Sequence, residues 1–389
     1  MWYAPDIYNN IRWFHMSKKG NGISDHFSII KDPRKSNCRH KLIDIITIAL
    51  CAIICGCDTW VQVEDFGRVK YDWFKTFLEL PHGIPSHDTF GRVFALIDPV
   101  EFQNSFVQWM KTIQKATSGQ VVSIDGKTLR RSHDHAIDQG PIHIVSAWVN
   151  ENQMVAGQMK TEKKSNEIKA IPKLLRLLDV TGCIVTIDAM GCQKNIARQI
   201  IDQGADYLLA LKGNQGQLHQ DIELFFQDAA KSNFREAPHG FHQTVDGDHG
   251  RVETRKYWIT SDIEWLHDKE QWPGLTSVVM AQRERDVKGQ VSVETRYYIS
   301  SMAADPSNIA QAVRGHWGIE NSLHWVLDVA FREDESRIRK DHAPENSAIL
   351  RHIALNLLKK VDPKKSVKRK RLIAGWDNQF LANVLHAGF

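Results

Sequence analysis

The first third of the chain carries apolar residues at helical spacing. The pattern predicts three helices, over residues 42–55, 61–78 and 98–114. A Pro/Gly-rich stretch interrupts them, and beyond it Ser86 is placed to cap a further short helix. We therefore expect an all-α domain over residues 36–118, preceded by a loosely ordered segment over residues 1–35. Compact helices with basic loops suit either a helix-turn-helix-like DNA reader or a plain helical scaffold.

The pattern changes at Val121, where short apolar runs begin to alternate with helical segments. It predicts strands, a hairpin around Asn150 and two intervening helices, in the order β-β-β-α-β-α-β. This is the order of an RNase H-like core, in which the first and fourth strands lie side by side. We therefore expect an α/β fold with a mixed sheet, formed by residues 119–236 and 305–361.

Residues 237–304 separate the two parts of this core and have a different pattern. They contain three strand patterns, over residues 252–260, 277–285 and 291–300. The turn Lys288-Gly289 joins the last two strands. We expect a β-rich insertion, in which strand alternation places Arg251, Glu253 and Arg255 on one face.

Two of the predicted strands end in an aspartate. Asp125 follows the apolar run that begins at Val121, and Gly126 allows the backbone to turn directly after it. Asp188 ends a second apolar run, and Glu320 lies in a later helical pattern. A single strand-end aspartate is as easily a turn cap. Three such acids together are the ligands that two Mg²⁺ (or Mn²⁺) ions need beside a phosphate.

The helix that carries Glu320 also has a polar stripe. A spacing of four residues aligns His316, Glu320, His324 and Asp328. The stripe has three interpretations: an exposed surface face, a zinc site through the two histidines, or the third side of a magnesium site. Zinc is disfavoured, because no HExxH motif or Cys/His cluster accompanies the stripe.

Charge adds a weak argument for nucleic acid. The net charge is only +4, but residues 359–371 carry eight Lys/Arg against one acid. Such runs are usually solvated faces, whereas beside an acidic triad they favour DNA binding. We expect residues 362–389 to form a basic C-terminal tail, either flexible or helical. The six cysteines show no metal or disulfide spacing, which fits a reduced, cytoplasmic compartment. With DNA as the expected partner, we expect the protein to be nucleoid-associated.

Six motifs together resemble the DDE transposases of bacterial insertion sequences, most closely the H-repeat-associated proteins linked to Rhs elements. They are PSHDTF (85–90), SIDGK (123–127), TIDAMG (186–191), LKGNQ (211–215), HGR (249–251) and HWGIEN (316–321). The resemblance implies that Asp125, Asp188 and Glu320 are the catalytic, metal-binding acids. It also implies that the helical N-terminal domain reads the terminal inverted repeats of the element.

The chain departs from the transposases that it resembles around the glutamate. They carry Tyr-x2-Arg-x3-Glu-x6-Lys, whereas this chain has Val313, His316, Glu320 and Leu327 at those places. Only the glutamate is kept, so the roles of the family's Arg and Lys do not transfer. His316 could still contact a phosphate.

We therefore expect a DNA transposase that cleaves insertion-sequence ends and transfers the 3′-hydroxyl to target DNA by two-metal phosphoryl transfer. Its substrate is double-stranded DNA, and a homodimer is expected because two ends must be joined. The alternatives are an RNase H-like nuclease and an inactive DNA-binding relic. The residues expected to contact DNA are Lys127, Arg130, Arg131, Lys212, Asn214, Arg251, Arg255, His316, Lys368, Arg369, Lys370 and Arg371.

Overall fold

One mixed sheet runs through the protein. The computed structural model describes residues 23–35, 38–113, 119–134, 140–161, 166–248, 250–267 and 269–387. Its strands are β1 (Val121–Thr128), β2 (His143–Val149), β3 (Met154–Thr161), β4 (Ile184–Ile187), β5 (Asp206–Leu211), β6 (Gly240–Asp248), β7 (Arg251–Thr260), β8 (Ser277–Val287) and β9 (Gln290–Ser300). They pair in the order β3-β2-β1-β4-β5-β9-β8-β7-β6. The fold is therefore mixed α/β.

The first five strands confirm the predicted order and its key neighbour relation. β1 lies parallel to β4, which lies parallel to β5, while β2 and β3 add an antiparallel hairpin to the other side of β1. The apolar runs of β1 and β4 are buried, as expected for the centre of a sheet with helices on its faces. The predicted side-by-side placement of the first and fourth strands is thus confirmed.

The expected turn after Asp125 is wrong, since β1 continues to Thr128. Gly126 is required there for a different reason. A Cβ at this position would lie 2.2 Å from Nε2 of His143 and 2.6 Å from Oε1 of Glu167. These two buried side chains are themselves joined at 2.6 Å. The glycine therefore lets this pair pack directly against the backbone beside Asp125.

The β-rich region extends the sheet instead of standing apart from it. β9 pairs with β5, and β8, β7 and β6 follow as antiparallel neighbours. The predicted turn between β8 and β9 is confirmed. Lys288 and Gly289 have φ values of 53° and 84°, which suit the two-residue turn favoured by the strand twist. The strand β6 was not predicted.

The helices form layers on and beside this sheet. They are α1 (Ile23–Phe27), α2 (Leu42–Ile54), α3 (Trp60–Val69), α4 (Tyr71–Phe74), α5 (His87–Leu96), α6 (Pro99–Ile113), α7 (Glu167–Leu177), α8 (Lys194–Asp202), α9 (Gly216–Lys231), α10 (Pro306–Ile319), α11 (Trp325–Phe331), α12 (Ala343–Lys360), α13 (Val367–Trp376) and α14 (Asn378–His386). The Oγ of Ser86 accepts from the Thr89 amide, which confirms the predicted cap of α5. In the described ranges, no helix is long and apolar enough to cross a membrane.

The N-terminal and C-terminal helices share one hydrophobic core. Buried residues of α2, α5 and α6 pack with those of α12, α13 and α14. The amide of Asn346 on α12 donates to the carbonyls of Phe94 and Ile97, at 2.8 and 2.9 Å. Asn356, also on α12, makes two hydrogen bonds with the backbone of Val155 on β3. The α12 helix therefore ties the N-terminal helical region to the sheet.

One expectation about the chain ends needs correction, and one alternative is confirmed. Residues 1–22 lie outside the described residues, but Phe27 is buried against Phe102, so residues 1–35 are not loosely ordered throughout. The helical alternative for the basic tail is confirmed, because the tail forms α13 and α14, which join the helical core.

The predicted DNA contacts of two basic residues in the tail also need correction. Lys370 and Arg371 are buried. Lys370 donates to the Leu358 carbonyl at 2.8 Å, and Arg371 donates to the Ile53 carbonyl at 2.8 Å. Because their polar atoms serve internal contacts, we no longer assign these two residues to DNA. Lys368 and Arg369 are exposed.

Candidate active site

Two aspartates arise from neighbouring positions on the central strands. Ile124 of β1 and Ile187 of β4 are partners in the parallel register, and each is followed directly by an aspartate. Asp125 remains within β1. Asp188 ends its strand and begins a short turn, where its Oδ1 accepts from the amides of Met190 and Gly191 at 3.1 and 3.3 Å. The strand pairing therefore brings both carboxylates to one region.

The helix run above these strands supplies the third acid. α10 ends at Ile319, a π-helical turn covers Glu320–His324, and α11 continues from Trp325. Glu320 opens the π turn and is exposed. π turns within α-helices occur frequently at functional sites. The close approach of the helix depends on Gly318, where a Cβ would lie 2.1 Å from Oδ1 of Asn150.

One face of β1 lies along this helix run. Alternate residues of a strand share a face, and Ser123, Asp125 and Lys127 each contact the helical segment. Ser123 donates to the Gly315 carbonyl at 3.3 Å, Asp125 lies 3.5 Å from Nδ1 of His324, and Lys127 binds Asp328. Three successive side chains on this face of β1 therefore hold the helical segment against the strand.

The polar stripe predicted on the helix is mainly an internal face. Nδ1 of His316 bonds Oγ1 of Thr186 at 3.1 Å, while His324 and Asp328 contact β1 as described above. The surface-face interpretation is therefore wrong for these three side chains. The two histidines contact different strands through their Nδ1 atoms, which gives no support to a shared zinc site.

Buried hydroxyl groups connect the two aspartate strands to α10. Oγ1 of Thr186 donates to Oγ of Ser123 at 3.1 Å, and the Asn150 amide donates to the same Ser123 oxygen at 2.8 Å. Burial lowers the pKa of His316 to about 4, although the Asp188 charge opposes this. Its bond to Thr186 makes His316 an anchor of the helix, and a phosphate contact by His316 stays a prediction.

The electrostatics of Asp125 link it to the other two acids. Burial, together with the negative charges of Asp188 and Glu320, raises the pKa of Asp125 to about 7. The neighbouring His324 does not neutralise this charge, because burial lowers its own pKa to about 3. His324 therefore supplies no compensating positive charge to an ionised Asp125, and hard carboxylate oxygens are the ligands that divalent cations prefer.

The side chains nevertheless do not enclose a metal as they stand. Within the described part of the chain, no three Asp, Glu, His or Cys side chains are arranged to hold a metal ion. Asp188 points an oxygen at backbone amides, and Glu320 lies on the surface. Holding a cation beside Asp125 would require these two side chains to rotate towards it. The donor set, three carboxylates, fits a divalent cation.

Lys127 braces β1 against the segment after α11. Its Nζ contacts Asp328, Oε2 of Glu333 at 3.0 Å and Oδ1 of Asp334 at 3.4 Å. Burial alone would lower the pKa of Lys127, but the charges of Glu333 and Asp328 outweigh it and raise the pKa. Lys127 is therefore removed from the predicted DNA contacts. The nearby Arg130 pairs with Asp334 at 3.1 Å and is largely exposed.

The loop after β5 holds the loop after Asp188. The Asn214 amide donates to the Ala189 carbonyl at 2.7 Å, and the Gln215 amide donates to the Cys192 carbonyl at 2.6 Å. The predicted phosphate contact through Asn214 is therefore replaced by an internal bond that positions Asp188. The preceding Lys212 is exposed.

Sequence reasoning missed the residues that connect the acid-bearing strands to the neighbouring helical segments. Ser123 and Thr186 are buried hydroxyl residues inside apolar strands, and Glu333 is buried against Lys127. In the sequence, such hydroxyls are indistinguishable from ordinary strand residues. The only available signal was their position, two residues before each predicted aspartate.

Comparison with known proteins gives matches over nearly the whole chain. The family described as "Transposase DDE domain" matches residues 116–357, and "DDE_Tnp_1-associated" matches residues 24–110. The chain is 44% identical to "Putative transposase YncI" of Escherichia coli O157:H7, covering 93% of each chain. It is 40% identical to "H repeat-associated putative transposase YhhI" of Escherichia coli K12, covering 93% of this chain and 97% of that one. It is 47% identical to "Uncharacterized protein in dhlA 3'region" of Xanthobacter autotrophicus, covering 72% and 94%.

Proposed function

The chain belongs to the DDE transposase family, and we propose that it cleaves the ends of an insertion sequence and joins the freed 3′-hydroxyl to target DNA. The observation that carries this proposal is the placement of three carboxylates on elements that pack directly against one another. Asp125 and Asp188 come from adjacent parallel strands, and Glu320 comes from the helix packed across them. The order of β1 to β5 is that of an RNase H-like core, which we propose as the catalytic fold.

Asp125, Asp188 and Glu320 would hold the divalent cations, Mg²⁺ or Mn²⁺. When bound, such ions activate water and stabilise the leaving oxygen at a phosphate. The protein's part is to fix the ligands. The strands hold two of them rigidly, and the bond between Thr186 and His316 fixes the helix that carries the third.

Exposed basic groups predicted from the sequence are the proposed DNA contacts. Phosphate contacts position a protein on DNA without reading its sequence. The exposed candidates are Arg130, Arg131, Lys212, Arg251, Lys368 and Arg369. We assign sequence reading of the terminal inverted repeats to the helical N-terminal region, and we propose that two protomers act together because two ends must be joined.

The proposal predicts a strict dependence on the divalent cation. Cleavage of DNA that carries the element's ends should occur with Mg²⁺ or Mn²⁺ and stop in excess chelator. Ca²⁺ should support DNA binding but little cleavage, because its larger and looser coordination does not align the attack. Gel analysis of the DNA products measures both steps, since joined products separate a transposase from a nuclease of the same fold. Undiminished cleavage in chelator would rule out the metal mechanism.

A further inference from the structure

The outer halves of β7, β8 and β9 carry arginines on one face. Arg255 lies opposite Arg283, and Arg283 lies opposite Glu294 in the next strand. Arg296 is two residues beyond Glu294. Directly opposed residues of antiparallel strands project to the same side, and residues two apart on a strand share a face. The pairing therefore places these three guanidinium groups together.

This face forms one wall of a cavity beside α10 and the π turn that begins at Glu320. The cavity has a volume of about 450 Å³, and Arg314, Trp317 and Glu320 line its helical side. The Trp317 ring is flanked by Arg283 and Arg296, whose guanidinium carbons lie 5.3 and 4.5 Å from its centre. We call this space the arginine cavity and define it by Arg255, Arg283, Arg296, Arg314 and Trp317.

Three acids hold these arginines, and they differ in exposure. Glu253 is buried and pairs with Arg255 at 2.6 Å, so this ion pair stays in place when a ligand binds. The side chains of Asp246 and Glu294 are 49% and 48% exposed. Asp246 pairs with Arg314 at 2.6 Å, and Glu294 pairs with Arg296 at 2.7 Å. Exposed ion pairs contribute little to stability, so these two can be exchanged for another anion.

The arginines that line the cavity and its position beside Glu320 indicate which ligand it binds. Guanidinium groups bind phosphate through paired hydrogen bonds, and several of them converging on one open cavity suit a polyanion. Glu320 lies on the cavity's own wall, so an anion bound there is adjacent to the carboxylate triad. A DNA strand with one phosphate at the triad would therefore place its next phosphates at this cavity.

We propose that the arginine cavity binds backbone phosphates of the DNA strand next to the cleaved phosphate, and that Asp246 and Glu294 occupy its arginines until DNA arrives. This site rests on the proposed function for its position on the DNA. It adds Arg283, Arg296 and Arg314 to the DNA-contacting residues, and it assigns the two exposed acids a competing role.

The first test removes the competing acids. Asp246→Asn with Glu294→Gln should tighten binding of a fluorescent 30-base-pair duplex by about threefold to tenfold at low salt. Anisotropy titrations in EDTA measure binding without cleavage. The matched control is Asp228→Asn with Glu264→Gln, which removes the same charge from two exposed acids that are also paired with lysines. An equal gain in the control would overturn the proposal, because it would reflect net charge alone.

The second test removes the proposed ligands of the phosphates. Arg296→Ala with Arg314→Ala should reduce the slope of log affinity against log salt by about 2, since about 0.9 is lost for each phosphate contact. An unchanged slope would show that the arginines are only internal ion pairs. The gain in affinity expected of the first variant cannot arise from unfolding, so the pair of tests is robust to instability.

These outcomes are separable from the fate of the proposed function. Binding in EDTA as expected, together with absent cleavage in Mg²⁺, would leave the arginine cavity standing and refute the transposase activity. Cleavage in Mg²⁺, together with unchanged DNA binding in both variants, would support the transposase activity and refute the role of the arginine cavity.

Discussion

Replacement of Asp125 by Asn, Asp188 by Asn or Glu320 by Gln is expected to reduce DNA cleavage by about 10³-fold or more, which is the scale of losing a direct interaction with the transition state. Each change removes an anionic oxygen ligand and keeps nearly the same side-chain volume. DNA binding in Ca²⁺ and the folded structure should be largely retained. A quantitative gel assay of strand cleavage measures the rates.

The control for these three variants is Asp228→Asn, an exposed acid of α9 far from the triad in the chain. It removes the same charge and should cleave at the wild-type rate. Any triad variant that cleaves as fast as this control would have to be removed from the set of metal ligands.

Lys127→Met is expected to destabilise the protein by about 3 to 5 kcal/mol, because it leaves buried carboxylates without their cation. Glu333 is almost completely buried, and among the described residues Arg351, at 3.5 Å, would be its remaining ion-pair partner. Urea denaturation measures the loss. Arg130→Ala is the matched control: its guanidinium also pairs with this acidic cluster, but its side chain is 79% exposed, so its loss should cost less than about 1 kcal/mol.

The same two variants test whether Lys127 stabilises the fold or contacts DNA. If Lys127 stabilises the fold, Lys127→Met should cause a large loss of stability. A wild-type denaturation midpoint together with a lower salt slope of DNA binding would instead return Lys127 to the DNA-contacting residues.

The acids were predictable because their positions follow from local patterns. An apolar run of strand length ending in Asp marks both Asp125 and Asp188, and the order of elements places the two strands side by side. The helical spacing also identified the run that carries Glu320. Its π turn was not predictable, because an apolar pattern with a period of 3.6 residues does not reveal one extra residue in a turn.

The roles of the basic residues depended on distant parts of the chain. In the sequence, Arg371 looks like its neighbour Arg369, yet Arg371 is buried and bonds the carbonyl of Ile53, while Arg369 is exposed. Lys127 likewise binds Asp328, a residue 201 positions away. Charge patterns record where cations occur along the chain, and only the packed fold decides which of them face solvent.

The account's central claim is that the three carboxylates bind one divalent-cation site, and Mn²⁺ binding measured by calorimetry tests it without any knowledge of the DNA ends. Wild-type protein should bind Mn²⁺ at pH 8, and each triad variant should bind at least about tenfold more weakly. Because the pKa of Asp125 is raised to about 7, a proton competes with the metal below that pH. Wild-type affinity should therefore be about tenfold lower at pH 6 than at pH 8. Equal Mn²⁺ affinity in the wild type and all three variants would contradict the account.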